Sequence, residues 1–245
     1  MNLSYIHLGL DYEQYNKADN DLRYEFQKHT NFIDDFFSKA IRKHRFKTDG
    51  SFNMISVAPT EFEISEAEVI PIDTLSVNLP FSRERYIQIK GTQDCGYYLE
   101  LLEDGFKKAS EEKKVPLDAL LSIIEDFKRA DCRNEWTHKK KRFREEDLAV
   151  VLNCEFTTNY FQLSISISQL STGKELVNGA ILKTETGVSI HQGMYKDIVL
   201  GEDIVITDSR DMPRVIIDKK KVFRNKLKFR ILGDKEIKEM LSYKL

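Results

Sequence analysis

The stretch Asn134-Glu135-Trp136-Thr137-His138-Lys139-Lys140-Lys141-Arg142-Phe143-Arg144 opens the segment on which the fold turns, and that segment runs on to Ser168. It holds the chain's only tryptophan and a basic run, closed by the acidic triplet Glu145-Glu146-Asp147. A strand-like apolar run follows from Leu148 to Cys154, and a second spans Tyr160 to Ser168. In the second, Phe161, Leu163, Ile165 and Ile167 alternate with Gln162, Ser164, Ser166 and Ser168, the period of two that marks a half-buried strand. Upstream the apolar period is helical; downstream it is two. Segregation of this kind gives an α+β fold, with helices mainly in the first half and an antiparallel, meander-like sheet in the second. One domain over 1–245 is expected. A sub-boundary near 130–136 would separate a helix-rich part, 1–133, from a strand-rich part, 134–245.

Upstream, Leu22, Phe26, Ile33, Phe37 and Ile41 recur at near-helical spacing. They predict an amphipathic helix from Asp19 or Asp21 to about Arg45, with a break near Thr30-Asn31. Phe52 to Ala58 reads as a strand that Pro59 stops. Short extended runs follow at Val69–Ile72 and Leu75–Leu79. Ser82 caps a helical region that reaches Ser110 and that Gly91 and Gly96 divide. Leu117, Leu120, Leu121, Ile124 and Phe127 form one stripe of a further helix, with Pro116 near its first turn. Downstream, Glu175–Thr184, Ile198–Leu200, Ile204–Thr207 and Arg214–Asp218 read as strands. A second basic run, Lys219 to Arg230, ends in the alternation Lys226-Leu227-Lys228-Phe229-Arg230-Ile231. Asp234 caps a terminal helix.

Composition narrows the function. The 245 residues are 41% hydrophobic and 32% charged with a net charge of −2, so no global field recruits nucleic acid or an anionic membrane. Met1 to His7 lacks the basic-then-apolar layout of a secretory leader. Cys95, Cys132 and Cys154 are odd in number, distant, and form no CxxC pair, which reads as three reduced thiols in a cytoplasmic protein. GxxxxGK[ST], GxGxxG, GxSxG and HExxH are all missing. His7, His29, His44, His138 and His191 show no metal-ligand spacing. No catalytic residue, cofactor or metal is therefore assigned, and the chain reads as a non-enzyme.

Three features remain as candidate contacts. Glu61, Glu63, Glu66 and Glu68 make an acidic patch interleaved with Phe62 and Ile64. Trp136 and His138 pair an anchor with a titratable ring, although a core tryptophan and a solvated histidine are the plainer assignment. Lys139, Lys140, Arg142 and Arg144 form the first basic run, which Glu145 to Asp147 offset at once. With Phe143, Phe223 and Phe229 interleaved, the runs 139–144 and 219–230 also fit a nucleic-acid partner, although a wet strand face is the plainer assignment.

The helix pair Tyr97–Leu101 and Leu117–Phe127, the segment Asn134 to Lys141 and the strand pair to Ser168 together cover about a third of the chain. In layout this resembles the immunity proteins of bacterial polymorphic toxin systems. The resemblance implies a small cytoplasmic protein that occludes a cognate toxin domain, without cofactor. It carries over no functional residue.

Overall fold

The computed structural model describes the backbone of residues 1–245 and every side chain except those of Val188 and Ser189. The chain divides into two units, Met1–Asn134 and Glu135–Leu245. The fold is α+β, with helices concentrated in the first unit and antiparallel sheets in the second.

The first unit runs β1 (Tyr5–Leu8), α1 (Tyr12–Ala18), α2 (Asn20–His44), β2 (Met54–Thr60), β3 (Glu68–Ile70), β4 (Thr74–Pro80), α3 (Arg83–Ile89), α4 (Gly96–Glu112) and α5 (Leu117–Arg129). Its sheet has the order β1-β2-β4-β3. The strands β1, β2 and β4 are parallel, and β3 is antiparallel to β4. Those parallel pairs need crossovers inside an otherwise segregated fold: α1 and α2 supply the one between β1 and β2, and the excursion through β3 supplies the one between β2 and β4.

α2 begins where the Asp19 carboxylate accepts from Leu22 N at 3.1 Å, and Arg42, Lys43 and His44 in its last turn complement the dipole. The expected break at Thr30-Asn31 does not occur. The Thr30 hydroxyl is buried, donating to Leu8 O at 2.8 Å, and so fastens the unbroken helix to β1. Pro59 does not stop β2 either. Asp11 N donates to Pro59 O on the side where β1 has already ended, so the missing proline donor costs the ladder nothing. Phe26, Phe37, Phe106 and Phe127 are fully buried in the core: Phe37 on α2 meets Phe106 on α4 and Phe127 on α5, and Phe26 on α2 meets Tyr98 on α4.

The cysteine reading needs correction. Cys95, just before α4, and Cys132, just after α5, are joined in a disulfide with Cα atoms 6.4 Å apart. The packing of α4 against α5 brings together residues 37 apart in sequence, a closeness that spacing alone does not reveal. Cys154 alone is a free, buried thiol.

The second unit runs β5 (Asn134–Phe143, entered from the last residue of the first unit), β6 (Leu148–Phe156), β7 (Phe161–Gln169), β8 (Glu175–Thr184), α6 (Val188–His191), β9 (Asp197–Leu200), β10 (Ile204–Thr207), β11 (Pro213–Ile217), α7 (Lys219–Val222), β12 (Phe229–Ile231) and α8 (Lys235–Leu241). They form two sheets, β5-β6-β7-β8 and β12-β11-β10-β9. The alternating residues Phe161, Leu163, Ile165 and Ile167 are all fully buried. Asp218 and Asp234 cap α7 and α8 through Lys221 N and Ile237 N.

Candidate partner-contact surfaces

In the first unit the segment from Glu61 to Asp73 links β2 to β4 through β3 and is anchored from beneath. The Glu61 carboxylate accepts from Arg83 Nη2 at 2.8 Å and from Tyr15 Oη at 3.1 Å, while Arg83 Nη1 bonds Asp19 at 2.8 Å. The Arg83 hydrogen bond, ahead of burial, which opposes it, holds the Glu61 carboxyl below its usual value. Gln14 Nε2 donates to Glu63 O at 3.0 Å, Ser65 Oγ to Asn78 Oδ1 at 2.5 Å, and Lys108 Nζ to Ser65 O at 2.7 Å. The Phe62 ring meets Tyr15 edge-on at 5.4 Å.

Glu61 is thus spent inside the chain. Glu63, Glu66 and Glu68 are exposed. Between them lie Phe62, Ile64, Val69, Ile70 and Ile72, exposed by 48, 44, 36, 38 and 89%. These are five of the fourteen exposed large apolar side chains of the described residues, gathered into one segment. Single exposed apolar residues are ordinary; a contiguous group marks a contact surface. Ile72 and Asp73 turn the β3–β4 hairpin with φ of 69° and 52°. A turn with two consecutive left-handed residues favours Asn-Gly, and a β-branched side chain there is strained.

The second unit carries the remaining candidates. Trp136 lies 6.2 Å from the Phe161 ring and borders an open depression with Glu135, Thr137, Asn153, Glu155 and Ser164. His138 meets the Tyr195 ring edge-on at 4.7 Å, and its Nε2 lies 3.1 Å from Lys196 O. The basic run forms part of β5, which sequence reading missed because lysine is a poor strand former. Lys139 and Lys141 pair with Asp197 at 3.4 and 2.7 Å, and the Lys141 hydrogen bond, ahead of burial, holds that carboxyl down at about 2. Lys140, Arg142 and Arg144 remain exposed. In the second basic run Lys219 bonds Glu146 at 3.2 Å, whereas Lys226 and Lys228, ahead of the edge strand β12, and Arg230 within it are exposed. Lys228 and Arg230 share their depression with Glu202, Asp203 and Asp218.

Arg83, Gln14, Ser65 and Lys108, which hold the Glu61–Asp73 segment, were not legible as site residues. Gln14, Arg83 and Lys108 lie outside the segment in sequence, Ser65 lies within it, and none carries a motif. Among the described residues no group of three or more His, Cys, Asp or Glu could hold a metal ion, and no helix is long and apolar enough to cross a membrane. Comparison of the chain with protein families, curated proteins and solved structures returned no match.

Proposed function

We propose that this protein is a non-enzymatic protein-binding module, most concretely an immunity-type inhibitor that covers a cognate bacterial toxin domain. The observation that carries the reading is the exposed acidic–apolar segment from Phe62 to Ile72, held in place by Tyr15, Gln14 and Lys108. A surface fixed before binding loses little conformational freedom on association, and apolar area ringed by charge combines burial with orientation. Inhibition is then steric: the bound module occupies the toxin's working face. Such a protein acts in the cytoplasm.

Co-purification from the native organism tests the reading. A stoichiometric partner encoded beside this gene, whose toxicity co-expression suppresses, supports it. Capture of no partner at micromolar protein concentration removes it.

A second reading, a nucleic-acid-associated protein, draws on the exposed Lys140, Arg142 and Arg144 and on Lys226, Lys228 and Arg230. The acidic neighbours of the latter set weaken it. Binding to DNA or RNA that falls steeply with salt supports this second reading, and absent binding ends it.

A further inference from the structure

We propose that the open edge of β3 accepts an added strand from a partner protein, one in which lysine or arginine alternates with apolar residues. The inference rests on the reading above, that the protein works by binding another protein, and names the chemistry of what it binds.

β3 is the outermost strand of its sheet, with β4 on its inner side. Its outward backbone groups form the template that strand addition uses. Edges of this kind are commonly guarded by lysine. Here the stretch from Glu61 to Ser82 contains no lysine or arginine, and the guards are carboxylates. Arg83 neutralises Glu61, whereas Glu63, Glu66 and Glu68 make no ion pair among the described residues. Carboxylates along an edge repel an acidic strand and also a second β3, since like charges facing each other destabilise a pair. A basic strand is attracted instead.

The apolar half of the requirement comes from Ile64, Val69, Ile70 and Ile72. A purely polar strand would leave them wet, while an alternating strand sets its cations on the face of Glu68 and its apolar residues on the face of Val69. The edge is also fixed in advance, because Ser65 and Lys108 hold the approach to β3 and Pro71 ends it. The run Lys226 to Ile231 in this chain has the same alternating chemistry, so a second copy is the competing occupant, and the experiment separates the two.

The full chain is titrated with a short peptide alternating lysine with valine, with the same peptide carrying glutamate for lysine, and with a backbone N-methylated copy of the basic peptide. Amide shifts of residues 63–73 are followed by NMR. The expected result is binding of the basic peptide alone, loss of binding on N-methylation, and about tenfold weaker binding to the double variant Glu66→Lys, Glu68→Lys. Both positions are exposed, and an unchanged melting temperature verifies the variant's fold. Equal binding of acidic and basic peptides, no binding, or binding untouched by the variant overturns the proposal. So does concentration-dependent self-association abolished by Lys228→Glu with Arg230→Glu, which assigns the edge to a second copy. The peptide titration needs no native partner. If a co-purifying partner is held equally by the double variant, strand addition fails while the protein-binding reading stands; if the wild-type chain captures no partner, that reading fails by its own test.

Discussion

Gly105 lets α4 pack directly against Val57 of β2. A methyl group on it would meet Val57 Cγ1 at 2.8 Å and Cγ2 closer still, with a buried strand behind. Gly105→Ala is expected to destabilise the first unit by about 2 kcal/mol, as overpacking does, read from the urea midpoint. Asp208 gives a pH dependence. Burial raises its carboxyl, but Arg214 and the Met212 and Arg210 amides outweigh that and hold it below 3.8. A depressed carboxylate stabilises the fold above its ordinary value, and the contribution is lost as pH falls through the native one. The second unit should therefore weaken below about pH 4. Asp208→Asn should cost about 3 kcal/mol at neutral pH, because it strands a largely buried Arg214 charge, and should flatten the acid limb of the stability curve. Ile72 runs the other way: Ile72→Asn should raise stability by about 1 kcal/mol, by thermal melt, since asparagine tolerates the left-handed turn. At this scale the sequence showed which residues were acidic, basic or aromatic. It could not show which charges were already spent. Glu61, Lys139 and Lys141 look no different in sequence from Glu66 and Lys140, and only the fold delivers Arg83 and Asp197 to them.

Helices and strands were legible where a long apolar period ran without conflict. Leu117–Arg129 and Glu175–Thr184 fall where their patterns place them, and Gly91 and Gly96 do separate α3 from α4. The misses have local causes. β5 was hidden by its lysines, the unbroken α2 by a threonine that bonds backward into the sheet, and the end of β2 by a proline whose donor was not needed. The parallel pairing of β1, β2 and β4 was not legible because β1 reaches β2 through α1 and α2, and β2 reaches β4 only after the excursion through β3. The disulfide belongs to the same class. Closing a loop of 37 residues, it should contribute about 4 kcal/mol to the first unit when formed. Cys132→Ser, or reduction of the wild type, should lower the melting temperature by calorimetry, and reductant should leave the serine variant unchanged. Equal melting of oxidised and reduced wild type would refute a stapling role.

The change of apolar period near residue 134 was the strongest whole-chain signal, and the two units divide between Asn134 and Glu135. Each unit has its own buried core. Residues 1–134 and 135–245, expressed separately, should each unfold cooperatively, with the Asp208 contribution to the acid limb carried by the second fragment and reductant sensitivity by the first; an unfolded fragment by circular dichroism would count against this. The partner surface was legible only as composition, a row of glutamates among apolar residues, because edge position and exposure are properties of the folded sheet. The Cys95–Cys132 bridge also has a mechanical consequence. Stretched between its termini, the oxidised chain cannot pay out the residues between the two cysteines, and tension bypasses them through the sulfur atoms. The oxidised chain should reach its full extension about 120 Å short of the reduced one, a difference single-molecule pulling can read directly.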